Sequence, residues 1–104
     1  MAKRKGRVHF LPKALDDIDE MITFISSEST SRSLSYFNKI EEKILRLEDF
    51  PLMGHMPKDE RIKKLGYRQF SVEEYEVFYR IENELILICR VIHSSRDYQK
   101  LMTN

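Results

Sequence analysis

Very little in this chain can staple or sharply bend it: among 104 residues there are three glycines, three prolines, one cysteine and no tryptophan. A lone Cys89 permits no internal disulfide. Its setting among Ile, Leu and Val makes it a small buried hydrophobe rather than a nucleophile, since nothing nearby would lower its pKa. His9, His55 and His93 are scattered without metal-site spacing, so no metal and no cofactor is expected. No run approaches the roughly 20 apolar residues of a membrane span. The basic start Met1-Ala2-Lys3-Arg4-Lys5 leads into alternating Val8 and Phe10 instead of an apolar stretch, so the expected location is cytoplasmic, without membrane contact. Charge of one sign is missing too: 18 Lys and Arg face 17 Asp and Glu, a net +1, which argues against a protein that coats nucleic acid.

What is present reads as one domain over residues 1–104, because the length suits a single core and no composition break divides it. Charged residues make up 34%, above the roughly 25% of typical domains, as suits a small protein with much surface per residue. Arg7 to Phe10 alternate as a short strand that stops before Pro12, a residue suited to a helix's first turn. Leu11, Leu15, Ile18, Ile22 and Ile25 then recur at helical spacing to about Ser27, with Asp16, Asp17, Asp19 and Glu20 on the other side. A serine-rich turn restarts the pattern at Leu34, Phe37, Ile40, Ile44 and Leu47, giving an antiparallel helix hairpin. Residues 49–57 carry two of the three prolines and form a crossover loop, and the basic Arg61, Lys63 and Lys64 read as a solvated loop after it.

Three alternating segments follow, residues 67–72, 75–81 and 85–93, as an antiparallel meander. With Glu73-Glu74 as a two-residue turn, Val72 meets Tyr75 and Phe70 meets Val77. With Glu82-Asn83-Glu84 as a three-residue turn, Tyr79 pairs with Leu87, Val77 with Cys89 and Tyr75 with Val91. The helix hairpin covers that face. The other holds Gln69, Ser71, Glu76, Phe78, Arg80, Ile86, Ile88, Arg90 and Ile92, too apolar for bare solvent and too basic for a core, so something should cover it; a short last helix over 96–102 follows the sheet.

The strongest chemical constellation is His93-Ser94-Ser95-Arg96-Asp97-Tyr98, joined by Arg80 and Arg90. His exchanges protons near neutral pH, Arg holds phosphate and Tyr stacks on bases or donates its hydroxyl, a set suited to metal-free RNA cleavage. A plainer reading has His93 paired with Glu73, Arg96 and Asp97 solvated, and Tyr98 packing the last helix onto the sheet. Glu76 opposite Arg90 forms a cross-strand ion pair in this register, which leaves Arg80 without a partner and free for a ligand. Lys63, Lys64 and Arg68 add a modest basic patch.

The ordered set Phe10-x-Pro12-x-Ala14, Phe50-Pro51-x-x-Gly54, Gly66-Tyr67-Arg68, Val77-Phe78-Tyr79-Arg80-Ile81 and Arg90-Val91-Ile92-His93-x-x-Arg96-Asp97 resembles the RelE/ParE toxin superfamily across nearly the whole chain. The resemblance implies an α+β fold, β-α-α-β-β-β with a short C-terminal helix, and a type II toxin neutralised by a cognate antitoxin. Operator DNA would be met only through that complex. It implies one of two targets. A RelE-like mRNA interferase at the ribosome would use His93, Arg96 and Tyr98 as catalysts with Arg68 on the substrate. A ParE-like toxin would poison DNA gyrase, with Arg68, Arg80, Arg90, Lys63, Lys64 and Phe78 meeting target or antitoxin. Glu76 and Phe70 stand where the nuclease branch would carry basic residues, which favours the gyrase branch; a degenerate, binding-only protein is the third reading.

Overall fold

The computed structural model describes residues 7–103; Lys3-Arg4-Lys5 lies outside them. Arg7–Phe10 form β1 and Pro12–Ser26 form α1, with Pro12 in the first turn, where its missing N–H leaves no intrahelical bond unmade. Ala14, Ile18, Met21 and Ile25 make the buried stripe of α1, while Leu15, one position off that stripe, is 54% exposed instead of joining the core. Ser29 accepts the Arg32 N–H and starts α2, Thr30–Leu45, which a 3-10 turn at Arg46–Glu48 extends. Ile40, Ile44 and Leu47 are buried, but Leu34 points out, and Ser33 lies in the hairpin instead, accepting a hydrogen bond from Ser26 Oγ at 2.9 Å.

Arg68–Val72, Tyr75–Glu82 and Leu85–His93 form β2, β3 and β4, in the sheet order β1-β4-β3-β2. The turn at Glu73-Glu74 has the expected register, Phe70 opposite Val77 and Val72 opposite Tyr75. Glu73 and Asn83 each open their turn with a left-handed backbone, at φ 53 and φ 58. The β3–β4 hairpin departs from expectation. Glu82 pairs with Leu85 across two residues, and a bulge lies between Phe78 and Tyr79. Phe78 faces Arg90 and Tyr79 faces Ile88, so Cys89 is the extra residue and Val77 meets Val91, not Cys89.

That inserted residue reverses side-chain parity along β4. Ile86 and Ile88, expected on the second face, join Val91, Val77 and Tyr79 in the main core beneath α1 and α2. β1 pairs with β4 in parallel, Arg7 opposite Leu85 to Phe10 opposite Ile88, so the sheet is mixed and not purely antiparallel. Two short helices cover the second face: α3, Glu60–Lys64, and α4, Tyr98–Thr103. The basic run is therefore helical and not a loop. Asp59 caps it by accepting the Arg61 and Ile62 N–H groups at 2.8 and 3.3 Å, and Ile62 is driven under the sheet with Phe78, Ile92 and Met102.

Candidate functional site

At the β2 side the sheet locks the crossover loop. The Tyr79 hydroxyl accepts the Gly54 N–H at 3.0 Å and donates to the Pro51 carbonyl at 2.7 Å, with the tyrosine fully buried. A Cβ at residue 54 would lie 2.7 Å from the Tyr79 ring and hydroxyl, so only glycine admits this approach. Arg68 Nη2 donates to the Gly54 and Leu52 carbonyls at 2.7 and 3.2 Å, and its Nε donates to Gly54 at 3.2 Å. His55 pairs with Gln69 as an isolated bridge beside this lock. Phe50-Pro51-x-x-Gly54, Arg68 and Tyr79 thus form one fastening, and the Arg68 guanidinium is spent on the protein's own loop.

On the other side, β1 ends at Phe10, and from Cys89 to His93 β4 has β3 on one flank and α1 on the other. Asp17 of α1 fills the strand's place there. Its carboxylate accepts the Val91 N–H at 2.9 Å and takes Arg90 Nε and Nη2 at 2.8 and 3.0 Å. Both side chains are largely buried, 15% and 12% exposed, and the hydrogen bond to Asp17 holds the guanidinium more firmly protonated. Arg90 accordingly does not pair with Glu76. Glu76 stands opposite Ile92 and accepts hydrogen bonds from Gln69 Nε2 at 2.9 Å and Ser71 Oγ at 2.6 Å.

Beside this junction opens a groove of about 820 Å³ between α1 and the end of β4. Asp16, Asp19 and Glu20 line one wall, His93 and Arg96 the other. His93 stands across from Tyr75. Its Nε2 is 3.4 Å from a Glu74 carboxylate oxygen, while Nδ1 accepts from the Ser95 N–H and lies 2.8 Å from Ser95 Oγ. The acid partner is Glu74, because Glu73 turns to Lys39 at 2.6 Å. Burial, with the Tyr36 phenol and the Glu74 and Glu20 charges adding, pushes the Tyr75 phenol up.

Tyr98 is not in this groove. Its ring packs on Phe78 at 5.5 Å across the sheet, so His93 and Arg96 are brought together and Tyr98 is separated from them. Phe78 is fully buried and presents no surface to a partner, contrary to its assignment as a contact residue. Arg80 is engaged as well: it faces Leu87, lies 3.3 Å from Glu82 and stacks over Tyr67 at 5.6 Å. Lys63 and Lys64 are exposed on α3. Cys89 is buried, and burial pushes its thiol up against the opposing influence of Arg80. Asp17 escaped the sequence reading, although its place between Ala14, Ile18 and Met21 put a carboxylate on the flank of a buried stripe, where it requires a partner. No group of three or more His, Cys, Asp or Glu able to hold a metal ion occurs among the described residues, and no helix there is long and apolar enough to cross a membrane.

A helix hairpin on a four-stranded sheet, closed by a short last helix, agrees with the fold that the resemblance to RelE/ParE toxins implies. The family model described as "ParE toxin of type II toxin-antitoxin system, parDE" matches residues 8–98. Toxin ParE3 of Caulobacter vibrioides is 30% identical over 88 residues, covering 84% of this chain and 85% of that one. A solved structure titled "Chromosomal ParDE TA system from P. aeruginosa" has the same fold, with a TM-score of 0.70 at 17% identity over 85% of this chain and 95% of that chain. The chain belongs to the ParE toxin family of type II toxin–antitoxin systems.

Proposed function

We propose that this protein is a growth-inhibiting toxin that poisons DNA gyrase and is neutralised by a cognate antitoxin. Family membership supports the antitoxin half of this reading. The observation that carries the choice of target is the charge of the α1–β4 groove, where Asp16, Asp19 and Glu20 face His93 and Arg96. An RNA phosphate seated on Arg96 within roughly 8 Å of one such carboxylate is repelled by about 2 kcal/mol at an effective dielectric near 20, so several carboxylates outweigh one guanidinium. Tyr98, across the sheet, adds nothing to that site, and Arg68 is held by the crossover loop. Toxicity by this reading needs no nucleophile or metal; it needs a surface that fits the gyrase–DNA complex.

Purified chain added to gyrase, ATP and plasmid tests the proposal. The expected product is linear plasmid with protein covalently attached to its ends. Only supercoiled plasmid at excess toxin would contradict it, and cleavage of ribosome-bound mRNA by the same preparation would move the assignment to the interferase branch. Growth unaffected by induction without antitoxin would leave only the binding-protein reading.

A further inference from the structure

The net charge of +1 conceals an uneven distribution. α1 packs on one face of the sheet and carries Asp16, Asp17, Asp19 and Glu20 against a single lysine, Lys13. α3 packs on the other face through the fully buried Ile62, and from Lys58 to Lys64 four cations stand against only Asp59 and Glu60. Asp59 is already committed, since its carboxylate caps α3 and takes Arg61 Nη2 at 3.1 Å. Lys58, Lys63 and Lys64 are exposed and have no carboxylate within 4 Å among the described residues; the same holds for Lys100 of α4, the helix that packs against α3. By contrast Arg32, Lys39 and Arg80 each reach a carboxylate, of Glu28, Glu73 and Glu82. The buried Ile62 and the Asp59 cap fix the backbone under these lysines, so their charges stay on one side of the molecule.

We propose that the outer face of α3 and α4 is a contact for the phosphate backbone of duplex DNA, with Lys58, Lys63 and Lys64 each neutralising a phosphate. A lysine is a compact point charge with rotatable donors, suited to phosphate in any sequence and not to the two-pronged reading of a base edge. Interfaces between proteins are depleted in lysine, whereas backbone contacts to DNA are made of it, so the cluster matches DNA better than an acidic protein surface. The carboxylates of α1 repel DNA from the opposite side, and the resulting polarity turns α3 toward the duplex. The role of this contact rests on the reading of the chain as a gyrase poison: it sets the toxin against the DNA on which gyrase works, without preference for sequence.

The test uses the full chain and two short labelled duplexes of unrelated sequence, with no gyrase present. Fluorescence anisotropy between about 50 and 200 mM salt is expected to show both duplexes bound within twofold of each other, log affinity falling against log salt with a slope of about −3 for three phosphate contacts. Lys63→Ala/Lys64→Ala should weaken binding at least fivefold at the lowest salt and make the slope shallower by about 2. Lys63→Gln/Lys64→Gln, which keeps the side-chain length, should lose as much. Lys39→Ala/Arg46→Ala, an equal charge change on α2, should lose less than twofold. All four side chains are exposed, so the melting temperatures are expected to stay level and tie each loss to charge. Absence of binding to either duplex at millimolar chain overturns the proposal. So do equal losses in the α2 and α3 variants, or a Glu-rich peptide bound more tightly than the duplexes, which would give this face to an acidic protein. Because gyrase is absent, failure here leaves the gyrase reading standing, and failure of gyrase poisoning leaves the DNA contact intact.

Discussion

The two flanks of the sheet spend their polar groups in opposite ways. On the β2 side, Arg68, Tyr79 and Gly54 satisfy one another and close the crossover loop onto the sheet. On the β4 side, Asp17 satisfies Arg90 and Val91, but Asp16, Asp19 and Glu20 are left facing an open groove. The residues that carry the family resemblance concentrate in the first region and at Arg90, where they hold the fold. Of the charged residues lining the groove, His93 and Arg96 belong to those motifs, while Asp16, Asp19 and Glu20 stand outside them. A patterned residue is thus more informative about packing here than about chemistry, and the charges that the fold leaves facing the groove come to light only once the fold is in place.

Breaking the Asp17–Arg90 junction should give the largest effect. Arg90→Ala strands a largely buried carboxylate and is expected to cost about 3 kcal/mol of stability, read as a lower urea midpoint. A loss below about 0.5 kcal/mol would mean the pair is as dispensable as an exposed one. Gly54→Ala, on the opposite flank, drives a methyl into the Tyr79 ring and should cost about 1–3 kcal/mol. Tyr79→Phe keeps the ring and leaves the Gly54 N–H without its acceptor and the Pro51 carbonyl without its donor, so about 1–3 kcal/mol is expected there as well. The two loop variants combined should lose less than the sum of their separate losses, because both act on one fastening. Full additivity would dissolve that unit.

Smaller effects sharpen the contrast between buried and solvated groups. Burial raises the Cys89 thiol pKa, so it should resist iodoacetamide at pH 8 in the folded chain and react once urea unfolds it; fast native labelling would place it at the surface. The Asp59 carboxyl is held below its usual range by the Arg61 side chain and by the Ile62 and Arg61 backbone N–H groups. Its folded pKa is depressed, so its contribution to stability is present above the ordinary carboxylate pKa of about 4 and fades as pH falls through that range. Melting curves should accordingly show a small deficit for Asp59→Asn at pH 6 that shrinks toward pH 3, and a deficit constant with pH would contradict the assignment.

The helix hairpin, the meander and the first strand turn were legible in the sequence because period 3.6 and period 2 patterns are local signals. The bulge at Cys89 was not. One inserted residue leaves every local preference unchanged and still moves Ile86 and Ile88 from one face to the other. Arg90 could not be assigned for a related reason: its partner Asp17 is 73 positions away, and the choice between Asp17 and Glu76 depends on where β1 stops. Phe78 reads as a contact residue because part of its cover, Ile62 of α3, comes from the basic run that looked like a loop. His93 and Arg96 were found, but the carboxylates opposite them, which change what the pair can hold, come from a helix folded against the strand's flank.

The central claim, a toxin acting on DNA topology rather than on mRNA, is tested most directly by pulse-labelling cells within minutes of inducing this chain without its antitoxin. Thymidine incorporation falling before methionine incorporation is the expected result. Methionine falling first would contradict the claim and return His93 and Arg96 to consideration as parts of a ribosome-dependent nuclease.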